Sequence, residues 1–200
     1  MKRFILLFVV TLLFSLLGCK EDLSLNPDDV YPEAKQEQLV DDKIIYEFLN
    51  SAIVTDSSYK YSKTVVGSIG SLYLEKSDSL QLLKADSIFS KEDVHFIFKQ
   101  ARMKHFYNVD ENELCQGKNV IYLDEKKVFG DESSKYWSKL REKHGPLYIM
   151  NMPVFSLDKN TAVIKTSHHC GFQCGTGATY IYKKNDNHWQ LIATWNKWVS

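Results

Sequence analysis

Thr161–Val199 reads TAVIKTSHHCGFQCGTGATYIYKKNDNHWQLIATWNKWV, and this stretch decides the fold. Thr161 to His169, Thr176 to Lys184 and His188 to Val199 are rich in the β-branched and aromatic residues that suit a pleated surface. Asn185-Asp186-Asn187 joins the last two runs with residues that tolerate a hairpin turn. Just upstream, Leu147 to Ser156 alternates loosely, and Pro153 within it implies a bulge or an edge position. Asp158-Lys159-Asn160 supplies a further turn. Sequential hairpins of this kind predict an antiparallel meander.

Working outward, the first two-thirds of the chain reads as helices with a few short strands. Glu33 to Ser51 predicts a first helix, with Leu39, Ile44, Ile45, Phe48 and Leu49 on one stripe. Residues 53–74 read as β-rich. Lys63 to Val66 and Ser71 to Leu74 are the better strands, with Gly67 and Gly70 at turns or bulges. Ser90-Lys91-Glu92-Asp93 resembles a capping box that opens a helix to about Met103, packing Val94, Ile97, Phe98 and Ala101. Val120 to Leu123 predicts a short strand. Asp131 to His144 predicts a third helix, capped by Asp131 or Ser133, with Trp137 and Leu140 on one side and Gly145-Pro146 at its end. The class expected is α+β, with helices on one face of the C-terminal antiparallel meander. NTF2-like and cystatin-like scaffolds are analogies at the level of fold and license no function.

The chain has 200 residues, with 25 Lys+Arg, 25 Asp+Glu, 9 Gly and 4 Pro. That balance excludes collagen-like and low-complexity chains. It also argues against nucleic acid as a partner, because phosphate binding needs a basic excess.

Lys2 and Arg3 precede an apolar run, Phe4 to Leu17, broken only by Thr11 and Ser15. Such a run spans about 21 Å as a helix, short of the roughly 30 Å hydrocarbon core. It reads as the h-region of a signal peptide over residues 1–18. Leu16-Leu17-Gly18-Cys19 resembles the lipobox of bacterial lipoproteins. The resemblance implies that Cys19 becomes the acylated first residue of the mature protein, anchored in the outer membrane. Two or more acyl chains anchor stably, whereas one binds only marginally.

Residues 19–34 follow as an acidic, Pro-containing tether, and 35–200 as a single α+β domain. Residues 20–50 carry nine acids and three lysines, whereas 51–200 carry 20 basic and 16 acidic residues. Such a segment repels itself and stays extended. Lys20-Glu21-Asp22 resembles a surface-export signal of some Gram-negative lipoproteins. The cell surface and the periplasmic face are both open as locations.

The densest constellation of chemistry is His168-His169-Cys170-Gly171-Phe172-Gln173-Cys174. Three readings stand side by side. Cys170 and Cys174 form a disulfide, as exported cysteines usually do; or they pack as reduced residues; or His168, His169, Cys170 and Cys174 supply ligands to zinc or copper. Adjacent histidines on a strand point to opposite faces, so at most one would join the cysteines. No second ligand pair stands at a zinc-like spacing, and neither a metal nor another cofactor is expected. Cys115 reads as a small half-buried hydrophobe. His95, His105, His144 and His188 are scattered, and no acid–base pair, phosphate loop or hydrolase motif is found. Trp189 and Trp195 fall on one face of a regular strand, with Trp198 on the other. The first two form a candidate ligand surface, with core packing as the alternative use.

Cys170-Gly171-Phe172-Gln173-Cys174-Gly175-Thr176-Gly177, then Trp189 and Trp198-Val199-Ser200, resemble a group of uncharacterised bacterial exported proteins and lipoproteins. Their ends run C-G-x-x-C-G-x-G … W-[VI]-S. The resemblance implies a compact sheet around a glycine-rich hairpin and carries no catalytic residue across. The expected function is a lipid-anchored, non-enzymatic envelope module that binds a protein or glycan. The alternative is a metal- or thiol-dependent enzyme using Cys170 and Cys174 with a neighbouring His.

Overall fold

Asp186 and Asn187 have φ angles of 46° and 64°, the paired left-handed residues of a tight hairpin turn whose twist matches its strands. That turn joins the two last strands of the chain. In the computed structural model, residues 39–200 are described except 75, 86, 104–105, 115–116 and 172–173. The readings for residues 1–18, Cys19, 19–34, His105 and Cys115 lie outside the described residues.

The elements follow one another along the chain. Helix α1 is Asp42–Ala52, followed by a 3-10 turn, Ile53–Thr55, and helix α2, Ser57–Tyr61. Strands β1, Thr64–Val66, and β2, Ser68–Gly70, precede helices α3, Lys76–Lys84, and α4, Lys91–Arg102. Next come β3, Phe106–Asn108; β4, Asn119–Ile121; α5, Glu125–Val128; and α6, Ser133–His144. The rest is sheet: β5, Leu147–Met150; β6, Val154–Phe155; β7, Thr161–Gly171; β8, Cys174–Asn185; and β9, His188–Val199. Among these elements no helix is long and apolar enough to cross a membrane.

The class is α+β. Strands β7, β8 and β9 form the expected antiparallel meander. The main sheet runs β4-β1-β5-β7-β8-β9, with β6 also paired to β7. It is mixed, because β1 pairs in parallel with both β4 and β5. Pro153 stands in the break between β5 and β6, which occupy successive stretches of the same β7 edge. That is the interruption a residue without an N–H imposes.

Alternation along β7 builds two cores. Ala162 and Ile164 point to one face, where α1 packs Ile45, Phe48 and Leu49 with Tyr148, Tyr182 and Trp189. Val163 points to the other, with Ile181 from β8 and Val94 and Ile97 from α4. Trp137 and Leu140 of α6 pack on Val66, Ile121 and Leu147. Helices therefore flank the sheet on both faces rather than one. Phe48 is fully buried and meets Phe155, Tyr182 and Trp189 edge-on at 4.9–5.6 Å between ring centres. Truncating a ring so placed costs about 3–5 kcal/mol.

Local chemistry explains the helix ends. Ser90 Oγ accepts from Asp93 N–H at 3.0 Å, and Asp93 accepts from Ser90 N–H at 3.0 Å, closing the capping box. Asp93 also accepts from Leu157 N–H at 2.8 Å. Burial works to raise the Asp93 carboxyl, but these hydrogen bonds outweigh it and hold the group below the usual carboxylate range. Gly145, with φ 72°, ends α6 as expected. The N-cap of α6 is Glu132, not Asp131 or Ser133, and it makes no side-chain cap bond.

Two stretches depart from the sequence reading. Residues 53–55 and 57–61 are helical rather than β, and the extended Asp56 between them caps α2 by accepting from Ser58 N–H at 2.8 Å. The second strand is Ser68–Gly70, paired with β3, rather than Ser71–Leu74.

Candidate functional site

The meander carries two bulges, and they decide which side chains meet. Along β9, Leu191 pairs with Tyr182 but Ala193 pairs with Ile181, which leaves Ile192 as an extra residue. Further on, Trp195 pairs with Thr179 and Trp198 with Gly177, leaving a second extra residue where Asn196 adopts φ 50°. Each bulge reverses the alternation beyond it.

Trp189 and Trp195 therefore do not share a face, which corrects the expectation drawn from a regular strand. Trp189 is buried among Phe48, Phe155 and Tyr182, where its indole N–H has no hydrogen-bond partner among the described residues. Trp195 packs on the opposite core, on the same side as Trp198.

Trp198 is seated by glycine. A Cβ at Gly177 would stand 2.5 Å from the Trp198 Nε1 atom, and one at Gly175 would stand 3.0 Å from its Cζ3 atom. Only bare backbone admits the indole this closely. The His169 ring is 5.6 Å away on the same side. The end of the chain is held as well, since Ser200 N–H donates to the Gly175 carbonyl at 3.0 Å. The hairpin behind these glycines is closed by a disulfide between Cys170 and Cys174, whose Cα atoms are 5.2 Å apart. A bridge over so short a loop is worth about 2 kcal/mol on the chain-entropy account.

A buried carboxylate lies under this platform. Asp78, in the first turn of α3, is fully buried. Its Oδ1 accepts from Trp195 Nε1 at 2.8 Å and from Asn196 Nδ2 at 2.6 Å. Its Oδ2 accepts from Lys165 Nζ at 2.8 Å. Lys165 donates also to the Tyr73 carbonyl at 2.8 Å. Taking a charge out of water is costly unless geometry and extra hydrogen bonds compensate; Asp78 accepts three hydrogen bonds, and Lys165 keeps part of its side chain in solvent. The bulge at Asn196 is what turns its amide toward Asp78, so bulge and carboxylate belong to one arrangement.

A cleft of about 400 Å³ opens above, lined by Asn151, Lys165, Ser167, Thr179, Asn196 and Trp198 among others. Its size falls in the roughly 300–1,000 Å³ range of small-molecule sites. Thr179 is 1% exposed, and its hydroxyl has no hydrogen-bond partner among the described residues. An orphaned buried hydroxyl costs about 1–3 kcal/mol. His169 Nε2 lies 3.2 Å from Ser167 Oγ. Burial pushes the His169 imidazole below its ordinary pKa, and Arg141 and His168 act in the same direction.

A second concavity, about 530 Å³, lies between α5 and α6 and is lined by Lys126, Lys127, Lys135, Lys139 and Lys143 with Asp131 and Glu132. Its ion pairs, Lys135 with Glu132 and Lys127 with Asp124, are exposed contacts of the kind that contribute little.

His168 and His169 sit on opposite faces of β7, and the disulfide takes both sulfurs, so the four-residue metal set has no thiolate to offer while the bridge is closed. Among the described residues, no group of three or more His, Cys, Asp and Glu is placed to hold a metal ion. No family model, curated protein or solved structure matches the chain.

Asp78, Lys165 and Asn196 escape a reading of the sequence. Of the three leucines of α3, Leu82 is buried but Leu80 and Leu83 are about half exposed, so the helix carries no clear apolar stripe. Lys165 reads as an outward residue of an alternating strand. The signal that points to the site is Gly175-Thr176-Gly177 with Trp198.

Proposed function

We propose that this protein is a lipid-anchored bacterial envelope protein that binds a ligand without transforming it. The cleft beside Trp198 is its binding site. The observation that carries the reading is that cleft, with the fully buried Asp78 carboxylate paired to the partly exposed Lys165 at its base and an indole pinned to glycines in its wall. A domain need not bury a charge to fold, and apolar residues of the same volume often serve stability as well or better. The arrangement fits a site whose shape must be held.

The leader, the Leu16-Leu17-Gly18-Cys19 box and the acidic segment after it support the anchored half of the reading, with acylated Cys19 in the outer membrane. The C-G-x-x-C-G-x-G … W-V-S ending supports a place among exported lipoproteins of unassigned activity. The thiol-enzyme alternative requires free sulfurs at 170 and 174, where the disulfide stands.

Two measurements test the proposal. Native protein partitions into the detergent phase with an acylated Cys19, and Cys19→Ser leaves it aqueous and unacylated. Amide exchange of the purified full chain slows in the 165–169 and 194–199 segments when a solubilised digest of envelope glycan and peptide is added. A bare Cys19 sulfur in the native protein overturns the anchor, and unchanged exchange overturns the binding role.

A further inference from the structure

We propose that the cleft beside Trp198 takes a neutral, hydroxyl-bearing ring, that is, one saccharide unit of an envelope glycan. The inference rests on the binding role assigned to that cleft and names its ligand class. Three observations carry it.

The first is charge. The ionised groups at the base neutralise each other, since Asp78 and Lys165 are paired at 2.8 Å and Lys165 is further tied to the Tyr73 carbonyl. An incoming anion would compete with Asp78 for Lys165, and an incoming cation would compete with Lys165 for a carboxylate that already accepts from Trp195 and Asn196. A neutral ligand disturbs neither.

The second is the kind of wall. Trp198 is 40% exposed and lines the cleft while the rest of its ring lies over Gly175 and Gly177. An immobilised aromatic surface suits the C–H face of a sugar ring, which is apolar, at no further cost in side-chain entropy. The rest of the lining includes the amides of Asn151 and Asn196 and the hydroxyl of Ser167; the two amide nitrogens already donate to the Ser71 carbonyl and to Asp78, which holds these side chains in place with their oxygens as acceptors for sugar hydroxyls.

The third is the unmet hydrogen bond of Thr179. Thr179 lines this cleft, and its hydroxyl is buried just behind the wall with no hydrogen-bond partner among the described residues. A valine fills the same volume, so nothing in the packing calls for the oxygen. A ligand hydroxyl gives it a partner once a small shift of the covering side chains on binding uncovers the oxygen.

The test uses the full-length protein in detergent, titrated with glucose, galactose, mannose and N-acetylglucosamine, and with glucuronate and glucosamine as charged counterparts. Binding is read by tryptophan fluorescence and calorimetry. At least one neutral sugar should bind, with affinity falling tenfold or more in Trp198→Ala and in Thr179→Val. The second variant keeps the shape of the residue and removes an unpaired hydroxyl, so it should fold at least as stably as the parent. Binding of only the charged sugars overturns the ligand class and leaves the cleft as a site. A neutral sugar whose affinity is unchanged in both variants places its site elsewhere and overturns the proposal. Failure of every probe at 100 mM, with amide exchange still slowed by the envelope digest, overturns the saccharide and keeps the binding role.

Discussion

The Trp198 indole lies against the α-carbon of Gly177, so close that a single methyl group there would stand 2.5 Å from Nε1 and 2.7 Å from Cε2. The two residues are cross-strand partners in the pairing of β8 with β9. The glycine is needed for room, not for backbone conformation, since its φ is not positive.

Gly177→Ala should therefore act through Trp198. Overpacking of this kind costs about 1–3 kcal/mol. In Trp198→Ala the added methyl meets no ring, so the double variant should lose less stability than the two single losses added together. Urea denaturation of the four proteins measures the coupling. Strict additivity would show that the indole is not seated on Gly177.

Asp78→Asn should destabilise the domain by about 3 kcal/mol, the low end for a broken buried pair, because Lys165 is partly exposed and can reach water. Asp78→Asn combined with Lys165→Met should recover part of that loss, since no unpaired charge is left behind. Thermal unfolding decides. A double variant less stable than Asp78→Asn alone would contradict the pairing.

Trp189 offers the opposite case. Its ring fills the space beside Phe48 and Phe155, but its N–H has no partner among the described residues. Trp189→Ala should cost about 3–5 kcal/mol through the cavity it opens. Trp189→Phe should cost much less, because the smaller ring still fills most of the space and the orphaned donor is gone. Equal losses in calorimetric unfolding would mean that the N–H is satisfied after all.

The pH dependence follows from His169, whose folded pKa is depressed from 6.5, first by burial and then by Arg141 and His168. Below pH 6.5 the unfolded chain binds a proton that the folded chain resists, so stability is full above that pH and falls as pH drops toward the lower folded value. His169→Gln should flatten the stability profile between neutral pH and pH 5. The loss of stability that follows from Asp93 and Asp158, both lowered from 3.8, begins only at more acid pH and should persist in the variant. Urea midpoints across that range test it. A parent profile that is flat from pH 7 to 5 would refute the assignment.

Much of this molecule is legible in one dimension. The capping box at Ser90, the stop at Gly145, the hairpin turn at Asp186-Asn187 and the break at Pro153 are all local, because a cap, a turn or a missing N–H acts within a few residues. The α+β class follows from the same local periods of hydrophobicity. The apolar stripe of Ile45, Phe48 and Leu49 is legible for that reason too.

The site is a different matter. Whether Trp189 and Trp195 share a face depends on two bulges, and a bulge is a relation between strands that changes no residue type. The parallel pairing of β1 with β4 and β5 joins segments about 55 to 83 residues apart. Asp78 is an ordinary acid in a polar helix until Lys165, 87 positions away, and Trp195, 117 positions away, are folded against it. Composition and spacing determine elements, since propensity and periodicity are short-range. Packing alone decides which charge is buried, which hydroxyl is left without a partner and which ring faces a cleft, because those are properties of neighbours that only the closed sheet brings together.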